Sequence, residues 1–86
     1  MKLADFKRQC TIGAIVECTH AKLGSLGIRQ ISKVESNMIA FRTNQGLNSW
    51  VAFPKASEIK YDPELDVWNI YQKDKLLLTY KFIKND

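Results

Sequence analysis

Between residues 27 and 56 three short β-prone segments follow one another with tight turns between them, the signature of a twisted antiparallel sheet. Ile28-Arg29-Gln30-Ile31-Ser32-Lys33-Val34 passes through Ser36-Asn37 into Met38-Ile39-Ala40-Phe41-Arg42-Thr43. A turn at Asn44-Gln45-Gly46 then leads to Ser49-Trp50-Val51-Ala52-Phe53, which Pro54 stops. Ile28, Ile31, Val34 and Met38 also lie near helical spacing. Gly27 ahead of them and the Ser36-Asn37 turn behind favour a strand with a bulge. In a chain of 86 residues such a sheet has to curl to enclose a core, because a small domain buries little of its surface otherwise.

The flanking segments complete one domain over residues 1–86. Residues 2–9 predict two turns of helix, with Leu3 and Phe6 on one face, too short to persist without docking on the sheet. Residues 14–20 are rich in β-branched side chains and predict a first strand. Residues 21–27, with two glycines, read as a loop, and residues 54–57 as one helical turn opened by Pro54. Residues 58–61 resume alternation. After the Asp62-Pro63-Glu64 turn, residues 67–71 and 76–83 predict a hairpin with Leu76, Leu78, Tyr80 and Phe82 pointing inward. The expected fold is mainly β: a small SH3-like or Tudor-like antiparallel barrel with a short N-terminal helix and a C-terminal β-hairpin.

Little in the chain suggests catalysis. Cys18 and His20 are two apart, so a strand sends both to one face, the minimum for a nucleophile and its base. No third residue that would orient the imidazole is identifiable, and buried structural thiols are the reading favoured for Cys10 and Cys18. Two Cys and one His leave a zinc site a ligand short. Asp62, Glu64 and Asp66 span a proline turn and lack the glycine and terminal Glu of a calcium loop. Gly24 and Gly27 are not followed by the Lys-Ser/Thr of a phosphate loop. The expectation is a protein without catalytic residues, metal or cofactor.

Charge is more informative. Residues 1–60 hold nine Lys/Arg against four Asp/Glu, whereas residues 61–86 hold four against five. A basic face therefore belongs to the first two thirds. If Ile39, Phe41, Val51 and Phe53 face the core, Arg42 and Trp50 face outward, and Arg29 and Lys33 share a face of the preceding strand. Cations around an aromatic platform suit single-stranded nucleic acid, whose phosphates need charge and whose bases need a π-face. The competing reading makes Trp50 a core residue and the cations a solvated surface. Arg29, Lys33, Arg42, Trp50 and Lys55 are the candidate binding residues, for nucleic acid or for protein. Trp68 and Tyr71 lie on opposite faces of their strand, so one of them should be partly exposed; Tyr and Trp also anchor protein interfaces.

The residues Arg29, Ile31-Ser32-Lys33-Val34, Ser36-Asn37, Phe41, Thr43, Ser49-Trp50 and Phe53-Pro54-Lys55-Ala56, with the opening Met1-Lys2-Leu3-Ala4-Asp5-Phe6-Lys7, resemble short accessory proteins of bacteriophages and prophages. The resemblance spans residues 1–61 and implies a small barrel acting in a bacterial host cytoplasm. It further implies an anti-defence, anti-CRISPR-like inhibitor that binds a host protein or ribonucleoprotein complex; a marginal core and a terminal strand with an exposed edge leave monomer and homodimer both open. The basic character departs from the acidic DNA mimics among such inhibitors. A protein of this charge would cover an acidic protein patch or meet nucleic acid held in a complex. A small nucleic-acid-binding barrel is the alternative. No apolar run approaches the roughly 18 residues of a membrane span, and the N-terminus lacks a signal-peptide core. No membrane partner is expected.

Overall fold

A computed structural model describes residues 3–43 and 45–83. Helix α1 (Leu3–Gln9) precedes seven strands: β1 (Ile15–His20), β2 (Gly24–Val34), β3 (Met38–Arg42), β4 (Asn48–Ala52), β5 (Ile59–Asp62), β6 (Val67–Gln72) and β7 (Lys75–Ile83). A 3₁₀ turn, Ala56–Glu58, separates β4 from β5. Its start is held by Glu58, whose Oε1 accepts the Lys55 N–H while its own N–H donates to the Lys55 carbonyl, both at 2.8 Å. Of the two expectations that reach beyond the described residues, the helix starts at Leu3 with Lys2 outside them, and Asn44 of the β3–β4 turn lies outside them.

All seven strands form one antiparallel sheet in the order β4-β3-β2-β1-β7-β6-β5. Laid flat, seven strands put their edges about 29 Å apart at the usual inter-strand spacing. The link between Ala52 and Ile59 reaches at most about 24 Å when fully extended. The short link therefore forces the sheet to curl. The expected barrel does not form: β4 and β5 each pair on one side only and remain open edges.

The concave face carries the core. Val16, Cys18, Ile31, Ile39, Phe41, Trp68, Ile70 and Tyr80 are buried there. Helix α1 plugs one end of the curl with Phe6, which is 2% exposed and sits 5.4 Å from the Trp68 ring, 5.8 Å from Phe82, 6.0 Å from Tyr80 and 6.2 Å from Phe53. Beside it, the Lys7 ammonium stands 5.0 Å over the Phe53 ring and donates to the Ser36 carbonyl.

The sheet has three bulges, of which the one within residues 28–34 is the expected one and the other two correct the sequence-based assignment. The expected loop over residues 21–27 is half strand, since β2 begins at Gly24 and absorbs Leu26 as an extra residue opposite Cys18 and Thr19. Gly27, beside that bulge, has φ +88°, a backbone shape that L side chains avoid. A second bulge, between Ile31 and Lys33, inserts Ser32. The third pairs Tyr71 with Leu76 and skips Leu77, turning Leu76 away from the core that receives Leu78 and Tyr80. Leu76 is 43% exposed, not inward as its spacing had suggested.

The β6–β7 hairpin turns through Lys73 and Asp74, both with positive φ (51° and 63°), the primed geometry that matches strand twist. Lys73 does not suit it, and Asp74, which tolerates positive φ, stands where glycine is preferred. Replacing the pair by Asn-Gly should raise stability by roughly 1 kcal/mol, read as a higher denaturation midpoint at unchanged slope.

Candidate nucleic-acid interface

β2, β3 and β4 contain three cations and no carboxylate. Their outer faces are arranged by cross-strand register. Ala40 lies opposite Trp50 on one side and Lys33 on the other, giving a row Lys33–Ala40–Trp50. Ala40 is fully buried and small, so the two large flanking side chains meet no bulk between them. Trp50 is 42% exposed, whereas Trp68 is 1% exposed and fills the core. The next outward row is Gln30–Arg42–Asn48. Lys33, Arg42 and Trp50 thus surround one patch, with Lys33 and Trp50 about 10 Å apart across two strand spacings.

Arg29 does not join them as expected. It pairs with Val16 and belongs to the concave face, because the Ser32 bulge shifts the parity between Arg29 and Lys33. Its half-buried side chain still borders the patch, since Arg29 and Arg42 line one cleft of about 380 Å³ at the end of β3, with Ile28, Thr43 and Gln45. Lys55 is exposed in the link after β4, beyond Pro54 and outside the paired strands. Tyr71 is half-buried on the outer face of β6, where the Lys60 ammonium covers its ring at 5.3 Å.

Among the described residues one ion pair is formed, Arg8 to Asp5 at 2.7 Å within α1. Among the described residues, none of the guanidinium and ammonium groups of the β2–β4 strands pairs with a carboxylate within 4.0 Å. Ser32 Oγ, the extra residue of the bulge, donates to Asn48 Oδ1 at 2.7 Å and ties β2 across β3 to β4, which stiffens the platform.

The other chemical candidates have structural work. His20 Nδ1 accepts the backbone N–H groups of Lys22 and Leu23 at 3.1 and 3.2 Å, closing the β1–β2 turn. Burial pushes the Cys18 thiol up from the ordinary 9.0 to about 11, with Arg29 opposing, and the Cys10 thiol up to about 12. Both groups are free thiols. The folded state holds these protons more tightly than the unfolded chain does. The stability this confers is whole below pH 9.0 and is lost as the pH rises through about 11 and about 12. Thermal melts should show a falling Tm above pH 9.0, shallower in Cys18→Val.

The acidic residues shape a turn. Asp62 Oδ1 accepts the Glu64 and Leu65 N–H groups, and the Tyr61 hydroxyl donates to Asp66 Oδ1 at 2.5 Å, which raises the phenol's pKa. Among the described residues no group of three or more His, Cys, Asp or Glu could hold a metal ion. No described helix is long and apolar enough to cross a membrane. No protein-family model matches the chain, and neither a curated protein nor a solved structure is significantly similar to it.

Proposed function

We propose that this chain is a non-catalytic accessory protein of the phage anti-defence kind, and that it meets single-stranded nucleic acid held in a host complex through the outer face of β2–β4. The observation that carries the reading is Trp50, exposed on the face that also bears Lys33 and Arg42, on three strands without a carboxylate. The indole supplies a stacking surface for a base, and the two cations supply contacts to the flanking phosphates. Arg29 adds a third positive charge at the cleft it shares with Arg42.

Two or three phosphate contacts to a single strand predict an affinity that falls about tenfold between about 50 and about 200 mM salt. Fluorescence anisotropy with labelled single-stranded DNA, duplex DNA and RNA measures it. Salt-sensitive binding to the single strands supports the reading. No binding at low salt removes it and leaves a host protein surface as the target.

A further inference from the structure

The edge of β4 has a second use. The Phe53 N–H donates to the Asn37 carbonyl and the Thr43 N–H to the Leu47 carbonyl, which fixes the parity of the β3–β4 ladder. Odd-numbered residues of β4 bond to β3. Asn48, Trp50 and Ala52 therefore direct three N–H groups and three carbonyls to the free side, and among the described residues none of these has a partner. Exposed edges are ordinarily blunted with charge or proline. β5 is, by the charged Lys60 and Asp62; β4 contains no charged residue, and its nearest proline, Pro54, lies two residues past its end.

Alongside that edge runs a groove of about 350 Å³, lined by Val51 and Phe53 on the β4 side and by Ile70, Leu77 and Leu78 opposite. Gln72 and Leu77, at one end of the groove, also line a second cleft flanked by Lys22, Lys73 and Lys75. We propose that the β4 edge accepts an extended protein segment as an eighth strand, with apolar side chains at alternate positions in the groove and acidic residues at one end beside these lysines. Backbone bonds then provide affinity, and the alternate pockets provide selectivity.

The geometry favours a single segment over a second copy of the chain. Glu58 and the β6 residues Ile70 and Tyr71 face the edge across the groove, so a strand that joins the edge lies directly against them. A second copy would bring its own β3 and β2 behind its β4 and into those residues. Around the alternating sheet, β4 and β5 run in the same direction. One segment running against both is antiparallel to each, which is the sense an eight-stranded closure requires.

A displayed library of random peptides, each about ten residues long, selected against the full chain, tests the proposal. Enriched sequences should alternate apolar with other residues and carry Asp or Glu at one end. The best peptide should lose at least tenfold in affinity when N-methylated at alternate residues, and also against Ala52→Pro, which deletes an edge N–H that β3 does not use. Hydrogen exchange should slow on binding at residues 48, 50 and 52. The Lys33→Ala/Arg42→Ala variant, which tests the nucleic-acid face, should bind the peptide unchanged. The proposal falls if no peptide is enriched, if the enriched ones lack alternation, or if N-methylation is harmless. It also falls if sedimentation shows a dimer that Ala52→Pro dissociates, since the edge would then belong to a second copy.

Discussion

Phe6→Ala should remove a large share of the protein's stability. The ring is 2% exposed and is the only part of α1 buried in the core, yet it meets four other aromatic rings. Truncating a buried Phe costs about 3–5 kcal/mol, from lost transfer energy and the cavity left behind. A domain of this size has roughly 4–13 kcal/mol in total. The loss should be larger than its sequence position suggests, because the same ring holds a seven-residue helix that cannot persist alone. Urea titration followed by circular dichroism measures the change, and Phe6→Leu, which keeps bulk at the site, should retain the fold with a smaller loss. A Phe6→Ala protein as stable as the parent would mean that α1 does not plug the curled sheet.

Trp50→Ala should separate binding from folding. The indole is nearly half exposed and lies outside the aromatic cluster, so its removal should change stability by no more than about 1 kcal/mol. Stacking on one base is worth about 1–3 kcal/mol, so affinity for single-stranded DNA should fall about five- to 150-fold. Lys33→Ala and Arg42→Ala should act differently. Each removes one phosphate contact and lowers the slope of log affinity against log salt by about 0.7. Anisotropy titrations at several salt concentrations distinguish the two kinds of loss. A Trp50→Ala variant with unchanged affinity would remove the outer face from the mechanism.

The two surfaces occupy different sides of the same three-strand unit. The outer face carries the cations and the tryptophan; the edge and the concave side carry unpaired backbone and apolar side chains. Their tests are independent, since Ala52→Pro alters the edge and Lys33→Ala/Arg42→Ala alters the face. An inhibitor acting on a host ribonucleoprotein could use both, one on a protein strand and one on the nucleic acid.

Much of this arrangement was legible in the chain. The alternation Ile39, Phe41 against Ala40, Arg42 places Trp50 outward once Val51 is inward, and the exposure of Arg42 and Trp50 agrees, while Ala40 is buried although it lies on the outward side. All seven strands and the turn after Pro54 correspond to alternating segments and turn residues. The partial exposure of one of Trp68 and Tyr71 also follows from their odd spacing, and Trp68 is the buried one.

Local composition therefore determined the strands, their order along the chain and the face each side chain takes within an unbroken segment, because period-two alternation is a property of neighbouring residues. Tertiary structure decided the rest. Whether Arg29 and Lys33 share a face depends on one unpaired residue, Ser32, and whether Leu76 points inward depends on Leu77. A bulge is created by pairing with a partner strand, and one extra residue inverts every face beyond it. Closure is equally non-local. The short link from Ala52 to Ile59 bends the sheet, but whether β4 and β5 meet depends on accumulated twist and on the helix seated inside the curl. Here they stay apart, which leaves β4 with an edge and the groove with an open side.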